Sequence, residues 1–114
     1  MRRSKAVLIT DALAAAESIG VIVSSTTREG YLATRMLRSA TERELLIIGE
    51  ALNVLDDISD DARVRVRRLG RVVGLRNRLA HAYDLIDDAM VWSIACGDIP
   101  PLRGELQDWL EALI

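Results

Sequence analysis

Arg76, Asn77, Arg78, His81 and Tyr83 gather two guanidiniums, an amide, an imidazole and a phenol within eight residues of an otherwise aliphatic chain. His81 is the only histidine, and Tyr83 is one of two tyrosines. Arg63, Arg65, Arg67, Arg68 and Arg71 come before this stretch, with no acid between Arg63 and Tyr83; Asp84, Asp87 and Asp88 follow at once. An imidazole exchanges protons near neutral pH, and a guanidinium takes phosphate oxygens in a two-pronged hydrogen bond. Metal-free cleavage of RNA needs groups of this kind. A base deprotonates the 2′-hydroxyl, an acid protonates the leaving 5′-oxygen, and a cation stabilises the charge that builds on phosphorus.

Helical geometry limits how these groups can cooperate. At about 100° per residue, Asn77 and His81 share a face, so Asn77 can orient the imidazole. Arg76 and Tyr83 lie nearly in line. Arg76 and His81 are five apart, about 140° around the axis. They meet one substrate only if the helix unwinds near His81 or a second copy supplies the partner. One chain holds one imidazole where the chemistry asks for an acid and a base, which favours a two-fold homodimer with this helix at its axis. The plainer uses of the same residues are a helix-end cap, a solvated arginine face and packing. On spacing alone they leave a helical bundle with a basic edge.

The 114 residues suit one domain, taken as 1–114. Half are apolar and none is Phe, so Ala, Leu, Ile and Val must fill the core, which favours helices packed on helices. The net charge of −2 argues against a polycation, while the arginines of 63–78 form a local basic face. With one Cys and one His, neither an intramolecular disulfide nor a Cys/His zinc site is expected. The N-terminal apolar run is broken by Asp11, so a signal peptide is not expected. No stretch is expected to reach the roughly 20 apolar residues of a membrane span. A soluble cytoplasmic protein is the expectation.

The elements that must position the motif follow from periodicity. A first helix is predicted over 5–23, although Gly20–Val23 also fits a short extended run. Thr26-x-x-Glu29 fits a capping box. The longest helix is predicted over 31–56; within it Glu44 reads as solvated, and Glu50, among apolar neighbours, as a partner for an arginine of the basic block. Asp56–Asp61 is a turn in which Ser59 can cap. A short helix is predicted over 60–69, where the alternation Arg63-Val64-Arg65-Val66-Arg67 also matches a strand. Gly70 and Gly74 are expected to bracket a bend into a helix over 71–83. Two further helices, 86–96 and 101–113, are separated by Gly97 and Pro100-Pro101.

Arg76-x4-His81-x-Tyr83, in the context GLRNRLAHAYDLIDD, resembles the HepT-like toxins, a branch of the HEPN superfamily. LRSATERELLIIGEAL (37–52) resembles the family's long helix with its Gly-Glu-Ala signature, and Trp92 stands where members often carry a tryptophan. The resemblance covers roughly residues 28–100. It implies an all-α, compact HEPN-like bundle of about five helices that dimerises through the motif helices. It implies a metal-independent endoribonuclease with no cofactor of its own, in which Arg76 contacts phosphate, His81 transfers protons and Asn77 assists. Arg71 and Arg78 are further candidates for phosphate or RNA contact. It also implies a toxin whose partner, a minimal nucleotidyltransferase antitoxin of the MntA type, uses ATP to adenylylate Tyr83. The added phosphate and adenosine would repel an RNA backbone. The alternative is a non-catalytic module that binds nucleotide and docks on a nucleotidyltransferase.

Overall fold

In the computed structural model the described residues are 3–81 and 83–114, and the side chain of Tyr83 lies outside them. Among the described residues seven α-helices run in the order α1 (Lys5–Ser24), α2 (Arg28–Ala33), α3 (Arg35–Ile58), α4 (Ala62–Arg65), α5 (Leu69–His81), α6 (Asp88–Gly97) and α7 (Ile99–Leu113). A 3-10 turn, Tyr83–Leu85, joins α5 to α6. The described residues contain no strand. The all-α expectation holds, but the count of about five helices is too low, because α2 and α4 are separate short pieces of six and four residues.

α1 lies between α3 and α7. The Ser4 hydroxyl caps its start by accepting from the Val7 amide, and helix continues through Gly20–Val23 to Ser24. Leu8, Ile9, Ala12, Leu13, Ala15, Ala16 and Ile19 are buried, and the alanines among them let neighbouring helices approach closely. Contrary to expectation, α1 is long and apolar enough by length and composition to cross a membrane. Its alanine content raises its hydropathy, and its inward face is packed in the bundle.

The expected 31–56 helix is interrupted at Thr34, whose backbone is extended. The Arg38 guanidinium donates to the Leu32 carbonyl that the break exposes, at 2.6 Å. The break turns Tyr31 inward, where its ring meets Trp92 with centroids 5.1 Å apart. α2 is capped by Thr27, which accepts from the Gly30 amide, not by Thr26 as expected. α3 then runs to Ile58, two residues beyond the expected end.

Beyond α3, Ser59 donates to Asp61 at 2.6 Å, and Asp61 opens α4. That hydrogen bond first, and one from Arg65 next, hold the Asp61 carboxyl below its ordinary range. The expected 60–69 helix stops at Arg65, because Val66 turns extended and buries its side chain completely. α5 buries Leu69, Val72, Leu75 and Leu79 and packs along α3. Gly70 and Gly74 do not bracket a bend; both lie within α5. Arg68 and Arg71 anchor its first turn to Asp98 at the α6–α7 junction, each at 2.5 Å. Asp87 caps α6 by accepting from the Ala89 and Met90 amides. Pro100 and Pro101 sit in the first turn of α7, where a missing N–H costs nothing.

Candidate active site

α5 stays helical through His81, so the end does not unwind where the single-chain alternative required it. Arg76 and His81 therefore leave the helix about 140° apart. The side chains of one chain do not converge.

Arg76 points toward α3. Its stem crosses Gly49, where an added Cβ would overlap the Arg76 Cβ and Cγ and come 3.5 Å from the Val72 carbonyl oxygen. Its Nη2 donates to Glu50 Oε2 at 2.6 Å, and its Nη1 donates to Asn77 Oδ1 at 3.0 Å. The guanidinium is about a quarter exposed (25%) and the Glu50 carboxylate about half (49%). The expected pairing of Glu50 with an arginine of the basic block is thus made by Arg76.

Asn77 departs from expectation. Among the described residues no hydrogen bond joins it to His81; its amide oxygen accepts from Arg76. The Asn77 oxygen takes the charged donor next to it on the same helix. His81 itself is exposed at the end of α5 and makes no hydrogen bond among the described residues. Arg78, three residues before it, shares its side of the helix; it is exposed, and its Nη1 lies 4.0 Å from Met90 Sδ. Arg71, expected near phosphate, has its Nε on Asp98. The backbone of Tyr83 opens the 3-10 turn after the motif, while its expected modification site, the side chain, lies outside the described residues.

A cavity of about 420 Å³ opens beside Arg76 between α1, α3 and α5, with Arg3, Arg43, Leu46, Ile47 and Glu50 on its walls. Sequence reasoning missed Arg43. Its only signal is a spacing of seven from Glu50, two turns along the same helix. A larger cavity, about 690 Å³, lies among α1, α6 and α7 and touches no motif residue. No group of three or more His, Cys, Asp or Glu side chains among the described residues could hold a metal ion.

The helices pack around one core into an all-α bundle, with Arg76 and His81 on one helix. The chain belongs to the HepT-like family: the family model described as "Ribonuclease HepT-like" matches residues 12–108, most of α1 through α7. That span exceeds the 28–100 over which motif resemblance was evident. A Methanocaldococcus jannaschii protein described as a candidate RNase is 35% identical over 79 residues, 68% of this chain and 70% of that one. A Thermococcus cleftensis protein described as "Probable ribonuclease HepT" is 30% identical over 109 residues, 94% of this chain and 96% of that one. No solved structure matches the chain.

Proposed function

We propose that this chain is a metal-independent endoribonuclease that acts as a homodimer, the toxin of a toxin–antitoxin pair in the cytoplasm. The observation that carries this reading is His81, an exposed imidazole at the end of the helix that also presents a braced Arg76. One His81 takes the 2′-hydroxyl proton, the 2′-oxygen attacks phosphorus, and the P–O5′ bond breaks. The second His81 of the dimer protonates the leaving 5′-oxygen, which leaves a 2′,3′-cyclic phosphate. Arg76 balances the added negative charge during the attack, and Arg78 holds the strand beside His81.

The outward side of α5 supports a two-fold contact. Gly70, Val73, Gly74, Asn77, Ala80 and His81 follow one another along it, and a Cβ placed on Gly74 would meet nothing within 4 Å. Small residues let a second helix come close. We extend this reading to a partner, as the motif resemblance implies: a nucleotidyltransferase antitoxin that neutralises the toxin by adenylylating Tyr83.

The test is complementation. Arg76→Ala and His81→Ala chains are each inactive on RNA. Mixed and allowed to exchange subunits, they stay inactive, because the hybrid dimer keeps one imidazole where the reaction uses two; recovered activity would show that a single His81 suffices. Full activity of His81→Ala alone removes His81 from the reaction.

One observation favours a second reading, a non-catalytic module docked on a nucleotidyltransferase. Both terminal nitrogens of Arg76 are already engaged by Glu50 and Asn77. A pure chain that is inert on RNA but raises its partner's nucleotide affinity would establish that role.

A further inference from the structure

The cavity beside Arg76 has more cation than its own carboxylates neutralise. Arg3 is paired with Asp11 at 2.5 Å, and Arg76 with Glu50 at 2.6 Å. Arg43 shares the same cavity, is exposed, and forms no hydrogen bond or ion pair among the described residues. Three guanidiniums thus face two carboxylates, and the one left over is Arg43.

The rest of the wall is apolar. Leu46 and Ile47 are only partly buried and lie between Arg43 and Glu50 on α3; Ala51 is buried behind them. A single free guanidinium above an aliphatic floor, in a cleft of ligand size, is the arrangement that takes an anionic head joined to a less polar body. A nucleotide has that chemistry: phosphate on the cation, ribose and base on the aliphatic surface. Arg76 lines the same cavity, so one strand can reach both arginines.

We infer that Arg43, with Leu46 and Ile47, forms a second phosphate subsite, which holds an RNA phosphodiester flanking the one Arg76 serves. The identity of the ligand rests on the nuclease reading; the unpaired cation and its aliphatic floor do not. The subsite binds strand and takes no part in proton transfer, so its loss raises KM and leaves kcat nearly unchanged.

The probe is a short fluorescent oligoribonucleotide, titrated by anisotropy against the His81→Ala chain, which leaves the RNA uncut. Arg43→Ala in that background is expected to weaken binding about tenfold. It should also reduce the slope of log affinity against log salt by about 0.7, the loss of one phosphate contact on a single strand. Arg43→Lys should restore most of the affinity. Arg103→Ala removes an exposed arginine from the α1–α7 cavity instead, where it lies 3.7 Å from Glu17, and should change nothing. Equal losses for Arg43→Ala and Arg103→Ala would overturn the subsite, since only general charge would then matter. Arg43-dependent binding of AMP with none of the oligonucleotide would overturn the strand assignment. No oligonucleotide binding at all would overturn the inference outright. The two readings fail separately. A wild-type chain that cuts no RNA yet binds it through Arg43 keeps the subsite and loses the nuclease. A wild-type chain that cuts RNA while Arg43→Ala keeps its KM loses only the subsite.

Discussion

Arg76 on α5 donates to Glu50 on α3 at 2.6 Å, across the contact that joins the motif helix to the longest helix of the bundle. A long, flexible side chain is thereby held in one direction, which on the proposed reading happens before substrate arrives. Orientation of this kind lowers the cost of reaching the reactive geometry. Glu50→Ala is therefore expected to reduce single-turnover RNA cleavage about tenfold. Because the carboxylate is half exposed, the melting free energy should change by less than about 1 kcal/mol. A rise in cleavage would show that Glu50 restrains Arg76 instead of positioning it.

Gly49 is the other half of that brace. A methyl group there overlaps the base of the Arg76 side chain, which cannot swing aside as a flexible tip could. Gly49→Ala must push α5 away from α3, and overpacking of this sort costs about 1–3 kcal/mol. Denaturant unfolding should show that loss despite alanine's better helix propensity. An unchanged or raised midpoint would mean that the helices separate without penalty.

His81 contributes little to the fold. Its side chain is exposed and makes no hydrogen bond among the described residues. His81→Ala should leave thermal unfolding unchanged while cleavage falls about 10²- to 10⁴-fold, the usual span for a proton-transfer group. A large drop in melting temperature would assign the residue to structure.

Asp98 holds the opposite end of α5. It is buried (5% exposed), and its two oxygens accept from Arg68 and Arg71 at 2.5 Å each. Both arginines are more than half exposed, so they return to water when the carboxylate is removed. Asp98→Ala should then cost about 1–2 kcal/mol in urea unfolding, well short of the loss expected when a buried charge is stranded. Hydrogen exchange should quicken first in the opening turn of α5.

The all-helical fold and the placing of Arg76 and His81 on one helix were legible because both depend on local order. Leu69, Val72, Leu75 and Leu79 repeat at helical spacing, and Arg76 and His81 are close in sequence. The break at Thr34 was not legible, because it is settled by where Tyr31 goes, and its ring partner Trp92 lies 61 residues along the chain. Gly49 reads as an ordinary helical glycine until Arg76 is laid across it. Arg43 reads as a solvated arginine until α1 and α5 close a cavity around it. Asn77 was legible in position and misread in direction, because helical spacing names its neighbours and leaves open which of them binds more strongly.

Tyr31 gives the fold a dependence on alkaline pH. It is fully buried, and its hydroxyl has no hydrogen-bond partner among the described residues. Burial first, then the Glu42 and Asp88 carboxylates, push the phenol up to about 12, against a smaller pull from Thr41 and Arg38. The folded chain therefore keeps its phenol proton where the unfolded chain, with an ordinary tyrosine near 10, has lost it. The unfolded state binds fewer protons over that interval, so stability falls as pH rises. The contribution is fully present below pH about 10 and is lost as pH climbs toward about 12, on the order of 2 kcal/mol in all. Tyr31→Phe should abolish this alkaline loss. At neutral pH it should be neutral or slightly stabilising, since it removes an unpaired buried hydroxyl and keeps the ring against Trp92. Urea unfolding of both chains at pH 8 and pH 11 measures the difference, and parallel losses in the two would assign the alkaline sensitivity to other groups.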